Sequence, residues 1–375
     1  MGRMKAALRL AVGTVCTLLC AGAEQPAHPT LPLASTAPDF NLPGVDGRNY
    51  SLQDFAGSRI LAVVFTCNHC PTAQYYEERI KKLTADYKDK GVAVVAISPN
   101  DPRSVRLDEL GYTDLSDSFE EMKVRAKQMQ FNFPYLYDGD TEAVSQSYGP
   151  VATPHVFIFD AERKLRYVGR IDDAEREQFV KVHDTRNALE ALLAGQEPPV
   201  RQTKVAGCSV KWAGKADDVK RFLEKLAAEP VSVAPADAAA LTALRKNGSG
   251  KFRLVNFWAT WCGPCITEFP DLITINRMYR HRDFEFVTVA AQYPDEQKDV
   301  LKFLQKHQAS SRNLLFGEPD KYKLIEAFDP SWSGALPYTV FINPEGKVIY
   351  KQEGPVDALE LKRFIVKALN ERKPW

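Results

Sequence analysis

Two Cys-x-x-Cys pairs are the features of this 375-residue sequence with the clearest chemistry: Cys67 with Cys70, and Cys262 with Cys265. Where a strand gives way to a helix, the first sulfur of such a pair lies near unpaired backbone N–H groups. Their partial positive charge lowers its pKa and favours a nucleophilic thiolate. The second sulfur is then close enough to attack the mixed disulfide that forms. The spacing predicts thiol-disulfide exchange, with Cys67 and Cys262 as nucleophiles and Cys70 and Cys265 as resolving cysteines.

Zinc binding is the main competing use of these cysteines, because two pairs supply four thiolate ligands. The pairs lie in separate halves of the chain, however, and each follows its own apolar run. That arrangement disfavours one shared zinc site, and a plain structural disulfide is the other alternative. We expect no metal and no cofactor, because the cysteines themselves carry the two electrons of the exchange.

The same order of elements surrounds both pairs. Residues 60–65 form an uninterrupted apolar run, typical of a strand buried on both faces, and residues 254–258 repeat it before the second pair. Helical spacing follows each pair, and residues 92–97 and 286–290 predict the next strand in each half. Each half therefore contains a strand-helix-strand unit.

A proline also opens a later strand in each half. Thr153 and Pro154 precede one apolar run, and Leu336 and Pro337 precede the other. A turn, another strand and a closing helix follow in both halves. We therefore predict an α/β protein of two tandem domains, each with a central mixed sheet flanked by helices.

The beginning of the chain has the pattern of a signal peptide at residues 1–23. Basic residues precede an apolar run at residues 10–21, and Ala21-Gly22-Ala23 fits a cleavage site. The run is shorter than the ~20 residues that cross a bilayer, although an uncleaved anchor or a buried helix is the alternative. Cleavage predicts a periplasmic or secreted protein in an oxidising compartment.

Composition and turn-forming segments divide the rest of the chain. We predict a spacer at 24–34, a first domain at 35–195, a linker at 196–230 that opens with Glu197-Pro198-Pro199, and a second domain at 231–375 whose first ten residues are rich in Pro and Ala.

Charge and hydropathy restrict the partners. There are 49 Lys and Arg residues against 48 Asp and Glu residues, so the net charge of +1 lacks the basic excess of a nucleic-acid binder. No later segment reaches transmembrane length, so we expect no stable membrane insertion after signal cleavage. Protein thiols and disulfides are the predicted partners, and a membrane electron donor is a further candidate.

The residues around the second pair carry a family resemblance. Residues 254–265 read LVNFWATWCGPC, and Glu268-Phe269-Pro270 follows. Over residues 231–375 this text resembles the thioredoxin superfamily and, within it, the exported TlpA-like thiol-disulfide oxidoreductases. The resemblance implies a thioredoxin-like fold in which Cys262 attacks, Cys265 resolves and Pro337 is cis beside them.

One position departs from cytosolic thioredoxin. Asn256 stands where that family has a buried aspartate that serves the second cysteine, and an asparagine side chain cannot take up the proton. Glu268, about one helical turn beyond Cys265, is a candidate substitute. The alternative is that Glu268 is a solvated helix residue.

The first half, over residues 35–195, resembles the redoxin or AhpC/TSA branch of the same superfamily. The residues that carry this resemblance are Ala37-Pro38-Asp39-Phe40, Asp46-Gly47 and Ser51-Leu52. That branch includes thiol-dependent peroxidases with antioxidant activity, so peroxidase activity in this half is an alternative function. The Pro-x-x-x-Thr/Ser-x-x-Cys motif of such enzymes is absent before both Cys67 and Cys70, which favours dithiol exchange.

The resemblance also indicates residues that contact substrate. A cis Pro154 and a cis Pro337 would each leave a backbone edge beside the cysteines free to pair with a substrate strand. Thr153 and Leu336 precede these prolines, and Trp261 precedes Cys262, so these residues are assigned to substrate binding.

His69 lies between the two cysteines of the first pair. A nearby imidazolium favours the charged sulfur, so His69 is a candidate modulator of the thiolate. It would also make the first disulfide the more oxidising of the two. The alternative is an exposed histidine without a role.

His155 and Cys208 are two further candidates. Cys67, Cys70 and His155 resemble the ligand set of Sco-type copper chaperones, although those proteins have three residues between the cysteines, so copper delivery is a third function to weigh. A packed strand residue is the alternative for His155. Cys208, left over after two pairs, is either an extra resolving cysteine for Cys67 or Cys70 or a buried free thiol.

Overall fold

The computed structural model describes residues 28–372. The predicted signal peptide and the first four residues of the spacer lie outside the described residues. Between residues 28 and 372, no helix is both long enough and apolar enough to cross a membrane.

The first domain consists of eight short or medium strands and four helices. The strands are β1 Asn41–Pro43, β2 Asn49–Ser51, β3 Ile60–Phe65, β4 Val92–Ser98, β5 Tyr135–Tyr137, β6 Ala152–Thr153, β7 His155–Phe159 and β8 Leu165–Gly169. The helices are α1 Pro71–Tyr87, α2 Phe119–Met129, α3 Ala143–Tyr148 and α4 Asp184–Leu193. Five of the strands form a mixed sheet in the order β5-β4-β3-β7-β8. Strands β3, β4 and β5 are parallel to one another, β7 pairs antiparallel with β3, and β8 pairs antiparallel with β7.

The central strand β3 shows why this sheet forms. All six of its residues are buried. Ile60, Ala62 and Val64 belong to the core on one face of the sheet, and Leu61, Val63 and Phe65 belong to the core on the other. An apolar run without alternation is therefore required, because helices or loops cover both faces of the strand.

The segment between the domains contains β9 Cys208–Ser209 and the amphipathic helix α5 Ala216–Ala227. Strand β9 does not join either central sheet; it pairs antiparallel with β6, the two-residue strand that precedes Pro154. Much of the predicted linker is therefore packed against the first domain.

The second domain has the strands β10 Ala234–Ala236, β11 Phe252–Trp258, β12 Phe284–Ala290, β13 Arg312–Phe316, β14 Tyr338–Ile342 and β15 Val348–Glu353. Its helices are α6 Ala238–Lys246, α7 Gly263–Tyr279, α8 Gln297–Lys306, α9 Lys321–Phe328 and α10 Ala358–Arg372. The six strands form one mixed sheet in the order β10-β13-β12-β11-β14-β15. The helix that follows the second cysteine pair continues through Pro270 without interruption.

The two domains meet near residues 105–114 of the first domain. Val105 and Leu110 are buried in the apolar core of the second domain. Tyr279, at the end of α7, donates a hydrogen bond to the carbonyl oxygen of Thr113 at 2.8 Å. The contact thus lies at the opposite end of α7 from Cys262. The predicted fold, two tandem α/β domains with mixed sheets flanked by helices, is confirmed.

Candidate active sites

The second cysteine pair lies where β11 gives way to α7. Cys262 is the N-cap of that helix, and its sulfur accepts a hydrogen bond from the backbone N–H of Cys265 at 3.4 Å. The two cysteines form a disulfide. The side chain of the preceding Trp261 is 64% exposed, which is unusual for a large aromatic residue. The disulfide therefore lies just beneath the surface, beside an exposed apolar side chain.

The peptide bond between Leu336 and Pro337 is cis, as predicted. Strand β14 begins one residue later, at Tyr338. Residues 335–336 belong to no strand among the residues described, so no other strand pairs with the backbone before this proline. The Ala335 backbone is bonded locally, since its N–H donates to the Ser333 hydroxyl at 3.2 Å and its carbonyl oxygen accepts from the Trp332 indole at 2.9 Å.

Glu268 lies on α7 one turn after Cys265, and it is only 6% exposed. Its carboxylate accepts hydrogen bonds from the Asn256 side-chain amide at 3.1 Å and from the backbone N–H of Val356 at 2.9 Å. Burial raises the pKa of this carboxyl group in spite of those hydrogen bonds. The interpretation of Glu268 as a solvated helix residue is therefore wrong, since α10 and its preceding loop close over this side of α7.

The first cysteine pair is placed differently from the second. Helix α1 begins at Pro71, so its N-cap is the second cysteine, Cys70, which accepts a hydrogen bond from the Ala73 N–H at 3.4 Å. The helix-terminus argument that applies to Cys262 thus applies here to Cys70 and not to Cys67. Pro71 is the local signal for this difference, because proline is favoured at the first position of a helix.

The pKa values of the two buried thiols are shifted in opposite directions. Burial raises the pKa of Cys67 well above its usual value, and the negative charge of Asp117 adds to this. Burial also disfavours a charge on Cys70. Hydrogen bonds from Cys208, Cys67 and the Ala73 N–H outweigh that effect and hold the pKa of Cys70 well below its usual value. The first site therefore favours a thiolate on Cys70 over one on Cys67.

A buried ion pair supports this site. His69 is 1% exposed, so it is not the exposed histidine of the alternative interpretation. Its Nδ1 lies 2.5 Å from the carboxylate of Asp117 and 3.6 Å from the sulfur of Cys67. Burial opposes the charge on both groups, but their mutual attraction raises the pKa of His69 and lowers that of Asp117.

Asp117 also holds the turn that contains the cysteines. Its other oxygen accepts the backbone N–H groups of Asn68 at 2.9 Å and His69 at 3.0 Å, and the Asn100 amide donates to the carboxylate at 2.7 Å. Sequence analysis missed this residue. No local pattern marks it, because it comes from a loop 48 residues after His69.

Thr153 and Cys208 complete the first site. The Thr153–Pro154 peptide bond is cis, as predicted. The hydroxyl of Thr153 lies 3.2 Å from the sulfur of Cys67, and its carbonyl oxygen lies 3.3 Å from the sulfur of Cys70. The backbone N–H of Cys208 donates to the same Cys70 sulfur at 3.4 Å.

The structure does not give His155 the contacts of a copper ligand beside the sulfurs. Its Nδ1 accepts a hydrogen bond from the Val151 N–H at 3.3 Å, its ring packs on Phe157, and burial lowers its pKa to about 4. A different group of side chains offers atoms that could bind a metal ion. The sulfur of Cys67, a nitrogen of His69 and an oxygen of Asp117 all lie within 4.8 Å of one another.

A strand that runs into a Cys-x-x-Cys pair at a helix start, with a cis-proline strand beside it, defines a thioredoxin-like domain. The described chain contains two of them. A model of the AhpC/TSA family matches residues 33–168, and a model of the Redoxin family matches residues 227–363. The chain belongs to the thioredoxin superfamily, as a tandem pair of redoxin-like domains.

Named relatives support the same class. The thiol:disulfide interchange protein CycY of Rhizobium leguminosarum bv. viciae is 31% identical over 151 residues, which cover 38% of this chain and 71% of that protein. The thiol-disulfide oxidoreductase ResA of Bacillus subtilis is 36% identical over 101 residues, which cover 27% of this chain and 51% of ResA. The chain thus spans about half the length of ResA. Among solved structures, an uncharacterized conserved protein from Geobacillus kaustophilus is 38% identical with a TM-score of 0.43, and the match covers 48% of this chain and 92% of that one.

Proposed function

We propose that the chain is an exported thiol-disulfide oxidoreductase of the protein-disulfide reductase type, which exchanges disulfides with protein substrates through its two Cys-x-x-Cys sites. One observation carries this proposal. The Cys262–Cys265 disulfide lies at the N-terminus of α7, beside the 64% exposed Trp261 and near backbone with which no strand of the described chain pairs.

In the reduced second domain, Cys262 is the attacking thiolate. The unpaired N–H groups and the positive end of the α7 dipole stabilise negative charge on its sulfur. The thiolate attacks one sulfur of a substrate disulfide, and a mixed disulfide with Cys262 forms as the other substrate sulfur leaves. Cys265 then attacks the sulfur of Cys262, which closes the internal disulfide and releases the second substrate thiol.

Glu268 is the base that serves Cys265 in this scheme. Cys265 is 1% exposed, so water has little access to its proton. Both residues lie on the buried side of α7, and residues three apart on a helix are neighbours. A carboxyl group whose pKa is raised by burial is suited to exchange a proton near neutral pH.

Substrate docking uses the surface around the disulfide. An extended substrate segment can pair with the backbone of Leu336, beside the cis proline, and place its disulfide over Cys262. The exposed ring of Trp261 then packs against apolar side chains of the substrate. Such docking depends on backbone hydrogen bonds and apolar contacts, so it favours unfolded or extended protein substrates.

Insulin reduction with dithiothreitol as electron source tests this function in the full chain. We expect Cys262→Ser to remove most of the activity and Cys265→Ser to accumulate a mixed disulfide between Cys262 and insulin. Tyr322→Ala is the matched surface control, because it removes an 82% exposed aromatic residue from another part of the same domain. Full activity in Cys262→Ser would refute the proposal. Cys67→Ser and Cys70→Ser, assayed with hydrogen peroxide, test the peroxidase alternative in the first domain.

Export is the part of this proposal that rests on the N-terminal pattern. Expression of the full sequence in a bacterium, followed by N-terminal sequencing of the periplasmic or secreted protein, should give Glu24 as the first residue. Protein that retains Met1 and stays in the cytoplasm would contradict it.

A further inference from the structure

The cysteine pair of the first domain is closed to a protein substrate. Cys67 is 2% exposed and Cys70 is 0% exposed. The strand edge beside them, Ala152–Thr153, is already paired with Cys208–Ser209 of the connecting segment. No strand of the described chain pairs with the corresponding backbone in the second domain. The docking scheme of the second domain therefore cannot operate in the first domain as it stands.

The segment that covers this edge is held along its length; we call residues 201–211 the strap. At its start, the N–H of Thr203 donates to the Val168 carbonyl oxygen at 3.1 Å. At its end, the N–H of Lys211 donates to the Asn100 side chain at 2.9 Å, and the N–H of Asp101 donates to the Lys211 carbonyl oxygen at 3.0 Å. The strap is thus part of the first domain and does not behave as a free tether.

Gly207 shows how closely the strap approaches the site. A Cβ atom at this position would lie 2.1 Å from the carbonyl oxygen of Thr153, and its φ of +154° is one that L side chains rarely adopt. Only glycine fits here without a shift of the backbone. The next residue, Cys208, is thereby brought into register with Thr153.

Cys208 is the one cysteine of this cluster that is partly exposed. It is half-buried, whereas Cys67 and Cys70 are buried. Its backbone N–H donates to the Cys70 sulfur at 3.4 Å, and its side chain packs against the small cluster of Cys67, Cys70 and Ala73. The three thiols thus lie in one cluster, and Cys208 is its partly exposed member.

We propose that Cys208 is a third redox cysteine of the first domain, which takes over the disulfide of Cys67 and Cys70 and exchanges it with external dithiols. This inference rests on the proposed thiol-disulfide exchange activity. It deepens that activity by naming the residue through which the buried first site reaches its substrate.

The exchange begins from the oxidised domain, with a disulfide between Cys67 and Cys70. The Cys208 sulfur attacks the sulfur of Cys70, so the bond between Cys70 and Cys208 forms as the bond between Cys67 and Cys70 breaks. Cys67 leaves with the electron pair and takes up the proton that Cys208 loses. No electrons are gained or lost by the protein in this step.

An external dithiol then completes the transfer. One of its thiolates attacks the accessible sulfur of Cys208, and Cys70 leaves as a thiolate. The second external thiol attacks the mixed disulfide and frees Cys208. The balance is one external dithiol oxidised to a disulfide and one protein disulfide reduced to two thiols.

The charges of the site favour the second step, in which Cys70 leaves. A thiol with a low pKa is a good leaving group, and Cys70 is the thiol whose pKa is lowered. In the reduced domain, the hydrogen bond to Cys70 and burial raise the pKa of Cys208. Once Cys70 is in a disulfide it carries no charge, so the largest cause of that raised pKa is removed, while burial still raises it.

Disulfide mapping tests the first step. The full chain carrying Cys67→Ser is treated with oxidised glutathione, quenched in acid, alkylated, digested and analysed by mass spectrometry. We expect a disulfide between Cys70 and Cys208 as the main product. A free, alkylated Cys208 beside a glutathionylated Cys70 would overturn the proposal. The matched control moves the thiol by one residue, with Cys208→Ser and Ser209→Cys in the same Cys67→Ser background. Adjacent strand residues point to opposite faces, so no disulfide between Cys70 and the new thiol should form.

Transfer rates test the second step. In the full chain with Cys262→Ser and Cys265→Ser, the first domain is oxidised with glutathione disulfide and mixed with a reduced dithiol peptide. We expect Cys208→Ser to slow peptide oxidation by at least about tenfold, because an intramolecular thiol is replaced by direct attack on a buried disulfide. Ser209→Ala should leave the rate unchanged. Equal rates with and without Cys208 would overturn the inference, whereas loss of insulin reduction alone would affect only the proposed function.

Discussion

Replacing Gly207 by alanine perturbs the strap without removing a thiol. The added Cβ would lie 2.1 Å from the Thr153 carbonyl oxygen, closer than side-chain and backbone atoms approach, and φ at this position is +154°. Holding a non-glycine residue in such a conformation costs ~1–3 kcal/mol. This strain destabilises only the docked strap, since a released strap is free to change its backbone angles. We therefore expect the released population to rise by about 5- to 150-fold, at 1.4 kcal/mol for each factor of ten.

Alkylation of Cys208 by iodoacetamide measures that population. In the docked strap, Cys208 is half-buried and its pKa is raised, chiefly by the hydrogen bond to Cys70. Release exposes the thiol and removes that hydrogen bond, so both effects increase the rate of alkylation. When docking and release are fast, the rate follows the population of the released form.

Gly214→Ala is the matched control for this experiment. Gly214 lies a few residues further along, and a Cβ there would meet nothing within 4 Å. In this variant, Cys208 should be alkylated at the wild-type rate. If Gly207→Ala also alkylated at the wild-type rate, the strap would not be what protects Cys208, and the argument from the close approach would be refuted.

Three further predictions concern single side chains. Trp261→Ala should raise KM for insulin but leave the reaction with a small aromatic disulfide unchanged, because only a protein substrate contacts the exposed ring. Equal effects on both substrates would count against docking at Trp261. Glu268→Gln should slow resolution of the mixed disulfide by ~100-fold in stopped-flow experiments, since general acid–base groups contribute at least that much, and an unchanged rate would remove Glu268 from the mechanism. Asp117→Asn should destabilise the first domain by ~3–5 kcal/mol in calorimetry, because it leaves a buried His69 without its counter-charge. The pKa of Asp117 is lowered and that of His69 is raised, so the pair stabilises the fold most between the unfolded pKa values of ~3.9 and ~6.5. The free energy of unfolding should therefore fall as the pH rises through the folded pKa of His69. A wild-type stability that does not change with pH would contradict the pairing.

Much of the fold followed from local patterns. The run at Ile60–Phe65 became the central strand of the first sheet because six consecutive apolar residues can be satisfied only between two covered faces. Helix α2 begins after Ser118, whose hydroxyl accepts the N–H of Glu121 at 3.3 Å, as a serine before a helix commonly does. Such elements depend on a few neighbouring residues, so their sequence is enough to identify them.

Prediction was less complete where identical motifs lie in different surroundings. Both cysteine pairs share their spacing, yet α1 begins after Cys70 and α7 begins after Cys262. The position of a single proline relative to the pair accounts for this: Pro71 follows the first pair, whereas Pro264 lies inside the second. The signal was present in the sequence, but its consequence for the two thiol pKa values depends on burial and on charges from distant loops.

The sequence by itself determined the arrangement on which the proposed chemistry rests: two Cys-x-x-Cys pairs at strand-to-helix junctions, each with a proline-led strand beside it. Only the tertiary structure decided which of these sites is open. Asp117 and Cys208 reach the first site from residues far along the chain, and Glu268 is buried because α10 packs over it. Their roles come from contacts between segments that no local pattern connects. Access and thiol charge therefore become visible only when the chain is folded.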